Sequence, residues 1–445
     1  MGSEVWLEPI PNYLVLIMKS NWLGNIPFEH RHFVKPKSEL EVASIVAKAY
    51  QLGEKVRVVG AGHSWTPACV SKDYLLNLDE LSGVYSIDSD KLVARVGAGS
   101  RLKHLNHEFW NRGFALTNLG SIAEQSIAGA TSTATHGSGI RFGNLSSAIV
   151  SVKLVDGKGQ VKFFSKDKNP EIFAAFPVAF GCLGILTEIE LKISPRYYLQ
   201  EHRRPMDFDS ALKQLPQLME QCDHLKLWWF PFNKTLQTYS ITRHNQPVPS
   251  PKSFNLLRED SSFAQGVFNL LLKIGNNRSL VPSINRFITS VQFKNETNVG
   301  RNFDVFNMVM PPKHHESEYA IPVEFTLPAL NELRELIHSK KHPVNFITEV
   351  RFVKADDNWL SPAYGKDVCY IGGYMSGDQG WPEFLSDYED LMLKYQGRPH
   401  WGKEFTPEKQ NFPLSYPRWQ DFLAIKRELD PTNTFSNSWT DKLFS

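Results

Sequence analysis

The chain has 445 residues, more than one ordinary hydrophobic core accommodates, so two or three domains are expected. Hydrophobic residues make up 42% and charged residues 22%, a balance typical of soluble globular proteins. Basic and acidic residues number 49 and 47, and this near neutrality excludes the electrostatic surface on which nucleic-acid binding depends.

The cysteines and the apolar segments exclude further classes. Cys69, Cys182, Cys222 and Cys369 show neither paired nor metal-ligand spacing, so we predict no disulfide framework and no metal site, and we expect a reducing compartment. No apolar run approaches the roughly 20 residues that cross a bilayer, and the N-terminus lacks a signal-peptide pattern. We therefore expect an intracellular protein, either cytoplasmic or attached peripherally to an internal membrane.

The most apolar segment, residues 263–288, is the candidate for such an attachment. It contains Lys273, Arg278 and Arg286, so it could lie on a membrane surface but should not cross one. We prefer the interpretation that it forms a helix of the core.

The first predicted α/β unit ends in an informative turn. A capping box at 38–41 predicts a helix that Gly53 ends, and the run Val56–Val59 predicts a buried strand. Residues 60–65 then read Gly-Ala-Gly-His-Ser-Trp. The glycines permit a sharp turn whose exposed amides can bind a pyrophosphate, but a Rossmann fingerprint would need a third glycine and a helix running straight on. His63 is therefore the informative residue, with an ordinary loop histidine as the alternative.

Residues 118–139 form a second candidate ligand-binding segment. Strands at Leu75–Leu78 and Leu92–Val96, and a helix capped by Ser100, are predicted before it. Nearly every side chain in the segment is small, so its main chain can line a long, extended cofactor. A glycine-rich surface loop is the alternative, but the alanines and Ile127 make the segment more apolar than such loops.

The next part of the chain predicts antiparallel strands. A strand from Ala148 to Val155 meets a hairpin signal at 156–159, and another strand begins at Ile185. The sequence changes character around Pro195, so we place a domain boundary near residue 197. Aromatic residues and alternating runs then continue to about residue 390 and predict an antiparallel sheet with helices.

Two charged motifs stand out in this second half. Glu349 and Arg351 lie two apart in a strand pattern, so they point to the same face, where opposite charges are costly unless they are paired or used. A solvated ion pair on an edge strand is the alternative. The run His400-Trp401-Gly402-Lys403 joins a histidine and a lysine, and taken alone it could be an ordinary loop.

Gly-Ala-Gly-His-Ser after a strand resembles the vanillyl-alcohol oxidase (FAD-binding PCMH-type) superfamily, in which a histidine in the place of His63 bonds covalently to the 8α carbon of FAD. The resemblance implies an α+β fold. It consists of a two-subdomain α/β FAD-binding domain over 1–197 and a cap domain over 198–390, with a large antiparallel sheet flanked by helices. The C-terminal segment, 391–445, is expected to return to the FAD-binding domain and complete the active site.

Within that superfamily, the Glu-x-Arg pair, the His-Trp-x-Lys motif and the closing run Leu429–Asn437 resemble the sugar-1,4-lactone oxidases, and their L-gulono-1,4-lactone branch most closely. The resemblance implies that FAD binding involves Val59, Gly60, Ala61, Gly62, His63, Ser64, Asn118, Gly120, Ser121, Ser126, Gly129, Ala130, Thr133, His136, Gly137, Gly184 and Ile185. It implies that the substrate face consists of Ser121, Glu349, Arg351, His400 and Lys403. In the family, a small residue in the place of Gly120 leaves room for O2 at the flavin, so the resemblance implies an oxidase.

The implied reaction oxidises a sugar-1,4-lactone at the carbon next to the lactone carbonyl, as in ascorbate-type biosynthesis. A hydride passes to flavin N5, and O2 then reoxidises the flavin and leaves as H2O2. Arg351 is expected to stabilise the reduced flavin, while Glu349 or Lys403 accepts the hydroxyl proton with help from Ser121. The alternatives are an oxidase of D-arabinono- or L-galactono-1,4-lactone or of an alditol, a dehydrogenase passing electrons to a cytochrome or quinone, and a flavin- or sugar-binding protein without turnover.

Overall fold

A computed structural model describes residues 19–244 and 277–444, and between these ranges the single residues 246, 266, 270 and 272. The chain is a mixed helix and sheet protein, as predicted, with a large antiparallel sheet in its second half. The four cysteines are all free thiols.

The chain begins with a small parallel sheet, in the spatial order β1-β3-β2. Its strands are β1 (His32–Val34), β2 (Val56–Val58) and β3 (Tyr74–Leu76). The helix Glu39–Leu52 connects β1 to β2 and confirms Ser38 as its N-cap, because the Ser38 side chain accepts a hydrogen bond from the backbone N–H of Glu41. The second bond of the predicted capping box differs, since the Glu41 carboxylate accepts from the backbone N–H of Lys37 and not from that of Ser38. Gly53 ends the helix in the left-handed conformation, at φ 67°.

A five-stranded antiparallel sheet follows, in the order β4-β5-β9-β7-β8. Its strands are β4 (Val84–Asp88), β5 (Val93–Gly97), β7 (Ile149–Val155), β8 (Val161–Ser165) and β9 (Ile185–Lys192). The short strands β6 (Phe114–Ala115) and β10 (Ser194–Pro195) pair beside it. The predicted hairpin between β7 and β8 is confirmed.

The helices Leu102–Asn111 and Ile127–Ser132 lie between these strands in the sequence. The prediction that Ser100 caps the first of them is wrong, because Arg101 occupies the N-cap and makes no side-chain cap hydrogen bond. The Ser100 hydroxyl instead donates to the carbonyl of Gly97 and accepts from the backbone N–H of Gly83. Satisfying these two loop groups takes the place of capping.

The second half of the chain forms an eight-stranded antiparallel sheet in the order β14-β11-β13-β12-β16-β17-β15-β18. In chain order its strands are β11 (Tyr198–Asp207), β12 (His224–Trp229), β13 (Thr235–His244), β14 (Glu296–Arg301), β15 (His315–Pro322), β16 (Thr348–Val353), β17 (Val368–Met375) and β18 (Arg398–Pro399). The helices that the structure describes in this half are Phe208–Lys213, Leu215–Gln221, Val281–Gln292, Asn302–Phe306, Thr326–Lys340 and Trp381–Lys394.

The chain changes sheets between β10 and β11, close to residue 197, where the sequence predicts a domain boundary. The C-terminal helices are Phe412–Ser415, Trp419–Leu429 and Ser438–Phe444. This last part of the chain contacts the first sheet, since the carbonyl of Thr434 accepts a hydrogen bond of 2.9 Å from the N–H of Val56 at the start of β2. The domain limits themselves stay a prediction.

Much of the apolar segment 263–288 lies outside the described residues. The helix Val281–Gln292 buries Val281, Ile284 and Ile288, as a core helix does, while Phe287 on its other side is 53% exposed. In the part of the chain that the structure describes, no helix has the length and apolarity to span a bilayer. Attachment to a membrane surface through this segment stays a prediction.

Candidate active site

Two cavities of similar size, both open to solvent, adjoin each other. The first lies among the turn after β2, the N-terminus of helix Ile127–Ser132 and the turn before β9. The second lies between the segment around 120–136 and one face of the eight-stranded sheet. His63, Ser64, Gln125 and Thr133 line both cavities, so the two form one continuous cleft that bends at His63.

The turn at 60–64 is a cradle of main-chain donors in the first cavity. Among the described residues, none of its five backbone N–H groups has a hydrogen-bond acceptor, and Gly62 takes the left-handed φ of 70°. Backbone N–H groups that are half buried require acceptors, and successive N–H groups at a turn bind anions. The cradle therefore fits the pyrophosphate of FAD.

The predicted cofactor residues fall into three groups. The first cavity is lined by Val59, Gly60, Ala61, Gly62, His63, Ser64, Ser126, Gly129, Thr133, Gly184 and Ile185. The second is lined by Gly120, Ser121 and His136. Three predicted residues line neither cavity: Asn118, Ala130 and Gly137. Ala130 is fully buried in the core, and Gly137 packs against the Asn118 side chain.

The His63 side chain stands where the two cavities meet. Burial lowers the pKa of His63 from 6.5 to about 4, although the nearby Glu124 carboxylate acts in the opposite direction. The imidazole is thus neutral at pH 7. The Trp22 ring lies beside the imidazole, with the ring centroids 5.9 Å apart, and the backbone N–H of Trp22 donates to the carbonyl of Gly62.

Glu349 and Arg351 lie on the floor of the second cavity, on β16. This strand is central, between β12 and β17, and Glu349 is 3% exposed, which excludes the interpretation as a solvated pair on an edge strand. The Arg351 guanidinium donates to the Glu349 carboxylate at 2.7 Å and to the Ser121 hydroxyl at 2.8 Å. Its Nε is buried and has no acceptor among the described residues. A ligand with an acceptor atom would satisfy it.

The Glu349 carboxylate is held in place from three sides. Besides Arg351, it accepts hydrogen bonds from the indole N–H of Trp228 at 2.7 Å and from the hydroxyl of Tyr374 at 2.9 Å. Burial alone would raise the pKa of Glu349, but the charges of Arg351 and Lys226 and these hydrogen bonds bring it below its ordinary value. Burial would likewise lower the pKa of Arg351, and the Glu349 carboxylate raises it instead.

Lys403 forms the second charge pair of this cavity. Its ammonium contacts the Glu316 carboxylate and lies 4.1 Å from the ring centroid of Trp65. Burial would raise the pKa of Glu316, but Lys403, and His314 at 3.5 Å, lower it to about 2. The predicted loop histidine, His400, lies in the same cavity wall and is buried.

Glu318 and His136 form the third pair. His136 Nε2 lies 3.3 Å from Glu318 Oε1, and both side chains are almost fully buried. Burial would raise the pKa of Glu318, whereas the proximity of His136 lowers it well below its ordinary value. Ligand-capable atoms of His136, Glu318 and His400 all lie within 4.8 Å of one another.

The sequence interpretation missed several residues of the cleft. Glu316 and Glu318 alternate along β15 just as Glu349 and Arg351 alternate along β16, so the same period-2 signal could have identified them. For Arg57, the sequence contains no comparable pattern. Arg57 lines the first cavity, and its guanidinium donates to the carbonyls of Ala68, Phe180 and Phe435, so it joins three distant segments.

Comparison with solved structures shows the fold. A cholesterol oxidase from B. sterolicum superposes with a TM-score of 0.81 at 17% identity, over 96% of each chain. A solvent-stable cholesterol oxidase gives a TM-score of 0.81, covering 96% of this chain and 97% of that one. The chain thus has the fold of these proteins, with an α/β part and a large antiparallel sheet.

Comparison with sequences shows the family. Residues 31–165 match the model of an FAD binding domain, and residues 189–443 match that of D-arabinono-1,4-lactone oxidase. An L-gulono-1,4-lactone dehydrogenase of Mycobacterium tuberculosis is 33% identical, covering 95% of this chain and 98% of that one. An L-gulonolactone oxidase of Bos taurus is 30% identical, covering 95% and 97%. The chain therefore belongs to the D-arabinono-1,4-lactone oxidase family, and in it an FAD binding domain precedes the large antiparallel sheet.

Proposed function

We propose that this protein is an FAD-dependent oxidase of a sugar-1,4-lactone of the L-gulono type, acting at the carbon next to the lactone carbonyl. The family and the names of its relatives support the substrate class. The cleft supports the cofactor, because the main-chain cradle at 60–64 opens into a cavity with buried polar side chains. FAD, when bound, accepts the hydride that the substrate loses.

One observation carries the proposal: Arg351 links Glu349 of the sheet to Ser121 of the segment that faces it across the second cavity. A guanidinium is a permanent cation, so it stabilises negative charge that develops beside it during the reaction. The hydrogen bonds also fix the Ser121 and Glu349 oxygens, which orients a substrate hydroxyl before hydride loss. Arg351 therefore both stabilises charge and positions its neighbours.

The ion pairs favour Glu349 over Lys403 as the acceptor of the hydroxyl proton. The Glu349 carboxylate is ionised and fixed, and its three bonds leave lone-pair capacity on Oε1. The Lys403 ammonium is held beside the Glu316 carboxylate, so it donates hydrogen bonds and cannot accept a proton. We therefore assign proton acceptance to Glu349 and orientation of the substrate to Lys403.

The test is to mix the purified flavoprotein with L-gulono-1,4-lactone without oxygen and follow the visible flavin absorbance. Bleaching, followed by recovery and peroxide release when O2 is admitted, is the expected result. D-arabinono- and L-galactono-1,4-lactone and an alditol, tested in parallel, show which substrate gives the highest kcat/KM. An absorbance that no member of the panel changes would overturn the proposed function.

We also propose that FAD is bound covalently through His63. A neutral imidazole has a free lone pair, and the low pKa of His63 keeps it neutral at pH 7. His63 also lies where the two cavities join. Acid precipitation should leave the yellow colour in the pellet for the wild type and in the supernatant for His63→Ala. Release of the flavin from the wild type would refute the covalent bond but would leave the fold assignment unchanged.

A second candidate is a dehydrogenase that passes electrons to an acceptor other than O2, as the name of the Mycobacterium tuberculosis relative indicates for that protein. Gly120 favours the oxidase. A Cβ there would lie 3.2 Å from both the His136 carbonyl and the Thr135 methyl, so an added methyl group would crowd the cavity wall. Gly120→Ala should slow oxidation by O2 more than oxidation by a dye. A wild type that reduces dyes but hardly consumes O2 would select the dehydrogenase.

A further inference from the structure

The two carboxylates Glu349 and Glu318 share one row of the eight-stranded sheet. Strand β17 lies between β15 and β16, and its Gly372 pairs with Glu318 on one side and with Glu349 on the other. Two strand spacings separate their backbones by roughly 9–10 Å. Since Gly372 has no side chain, the ring of Tyr374 covers this position and its hydroxyl reaches Glu349. The second cavity therefore has a carboxylate on each side of its floor, and the function proposed above uses one of them.

His136 contacts a carbonyl oxygen through one ring nitrogen and the Glu318 carboxylate through the other. Its Nδ1 lies 2.8 Å from the carbonyl oxygen of Gly137, which can only accept, so Nδ1 carries a proton. Its Nε2 lies 3.3 Å from the Glu318 carboxylate. Against the effect of burial, the proximity of His136 lowers the pKa of Glu318 and so favours its ionised form, and the His136 ring stacks on Tyr370 with the ring centroids 3.7 Å apart.

The hydrogen bond that His400 accepts shows which of its two ring nitrogens carries the proton. Its Nδ1 accepts a hydrogen bond of 3.0 Å from the backbone N–H of Gly402, so the proton of the neutral ring lies on Nε2. Burial lowers the pKa of His400 to about 3, although the charge of Glu318 acts against it, and the ring stays neutral. With one nitrogen occupied and the other protonated, His400 has no free lone pair for a metal ion. The cluster of His136, Glu318 and His400 is thus suited to hydrogen bonding.

We propose that Glu318 and His400 form a subsite that recognises one hydroxyl of the lactone other than the one oxidised. A hydroxyl both donates and accepts, and here a carboxylate acceptor and an imidazole N–H donor lie side by side in the cavity wall. Glu318 retains capacity for this bond: among the described residues its carboxylate contacts His136 alone, whereas Glu349 already accepts three hydrogen bonds.

The role of His136 follows from this arrangement. It is a positioning residue, because its proximity lowers the pKa of Glu318 and its own ring is held by stacking on Tyr370. A hydrogen bond to a charged acceptor contributes about 1.5–3 kcal/mol, or roughly 10- to 150-fold in kcat/KM. A substrate without that hydroxyl would also leave the buried carboxylate unpaired, so the subsite discriminates between lactones that differ at this one carbon.

The inference rests on the proposed function, and a substrate-deletion cycle tests it. Wild type and Glu318→Gln are assayed with the best lactone and with a series of deoxy lactones, each lacking one hydroxyl. For one analogue the wild type should lose roughly 10- to 150-fold in kcat/KM. Glu318→Gln should lose about as much with the parent lactone and nothing further with that analogue. Glu190→Gln, in the other sheet, is the matched control and should behave as the wild type does.

The outcomes separate the inference from the proposed function. Equal losses for Glu318→Gln with every lactone would indicate a structural effect, and an unchanged kcat/KM would indicate no contact; either overturns the subsite. If Glu318→Gln does not retain FAD, His400→Phe removes the donor and should lose discrimination against the same analogue. A wild type whose flavin no lactone reduces would instead overturn the proposed function, and the subsite with it.

Discussion

Gly60→Ala tests whether the turn at 60–64 forms the FAD cradle. Gly60 lies in the first cavity opposite Ser126, the N-cap of helix Ile127–Ser132. A Cβ on residue 60 would overlap the Ser126 hydroxyl and lie 3.2 Å from its Cβ. The backbone of Gly60 is not in the left-handed region, so the effect is steric and comes from this contact. To relieve it, the turn must retreat from the helix and carry its N–H groups with it.

The overlap sets the expected size of the effect. Overpacking a close contact by one methyl group costs about 1–3 kcal/mol. If FAD binding requires the original spacing, the dissociation constant of FAD rises by roughly 5- to 150-fold. In the double variant Gly60→Ala/Ser126→Gly the overlapping side chain is gone, and most of the affinity should return. The control is Gly300→Ala in β14, where a Cβ would make ordinary contacts of 3.4 Å.

The assay is titration of the apoprotein with FAD, followed by quenching of flavin fluorescence. It is made in a His63→Ala background so that a covalent bond does not mask the equilibrium. Thermal unfolding without FAD shows whether a variant has lost stability in general. If Gly60→Ala binds FAD within twofold of its parent, the turn is not the cradle and the assignment of the first cavity to FAD is refuted.

Two further predictions concern the ion pairs. Arg351→Met leaves Glu349 buried without its cation and should cost about 3–5 kcal/mol in urea unfolding, with slower flavin reduction by substrate; full activity would refute the role of Arg351. Burial would raise the pKa of Glu316, but Lys403 and His314 lower it to about 2, below its ordinary 4.5, so Glu316 contributes stability that is present above pH 4.5 and is lost as the pH falls from 4.5 toward 2. Lys403→Met should flatten this pH dependence, and the surface control Lys442→Met should not.

The local features of the site could be predicted from the sequence because they depend on neighbouring residues. A strand that meets two glycines gives the turn at 60–64 without reference to the rest of the fold. The period of a strand places Glu349 and Arg351 on one face wherever that strand lies in its sheet. Whether they face solvent or a cavity depends on the strand order, which the sequence alone does not determine.

The remaining part of the site depends on long-range packing. Glu318 belongs to the site because β17 pairs with both β15 and β16, so that Glu318 and Glu349 share one row of the sheet, and because His136 of the other half of the chain packs onto that face. The small residues explain why some of the predicted FAD contacts do not line the cleft. A glycine or alanine permits a close approach by a ligand or by another part of the protein, and the sequence does not distinguish these. Ala130 and Gly137 make room for protein, whereas Gly129 and Gly120 lie at the cleft.

The charge pairs bear on the form of the substrate that the site can accept. Each buried carboxylate at the second cavity has a basic partner: Glu349 has Arg351, Glu316 has Lys403, and Glu318 has His136. The charges of Arg351 and Lys403 are thus each matched by a carboxylate, so these pairs offer no surplus positive charge to an anion. A lactone is neutral, whereas its hydrolysed acid carries a carboxylate whose burial without a partner would be costly. Binding the acid would require a cation to leave its present partner, so the closed, neutral ring is the form that these pairs favour.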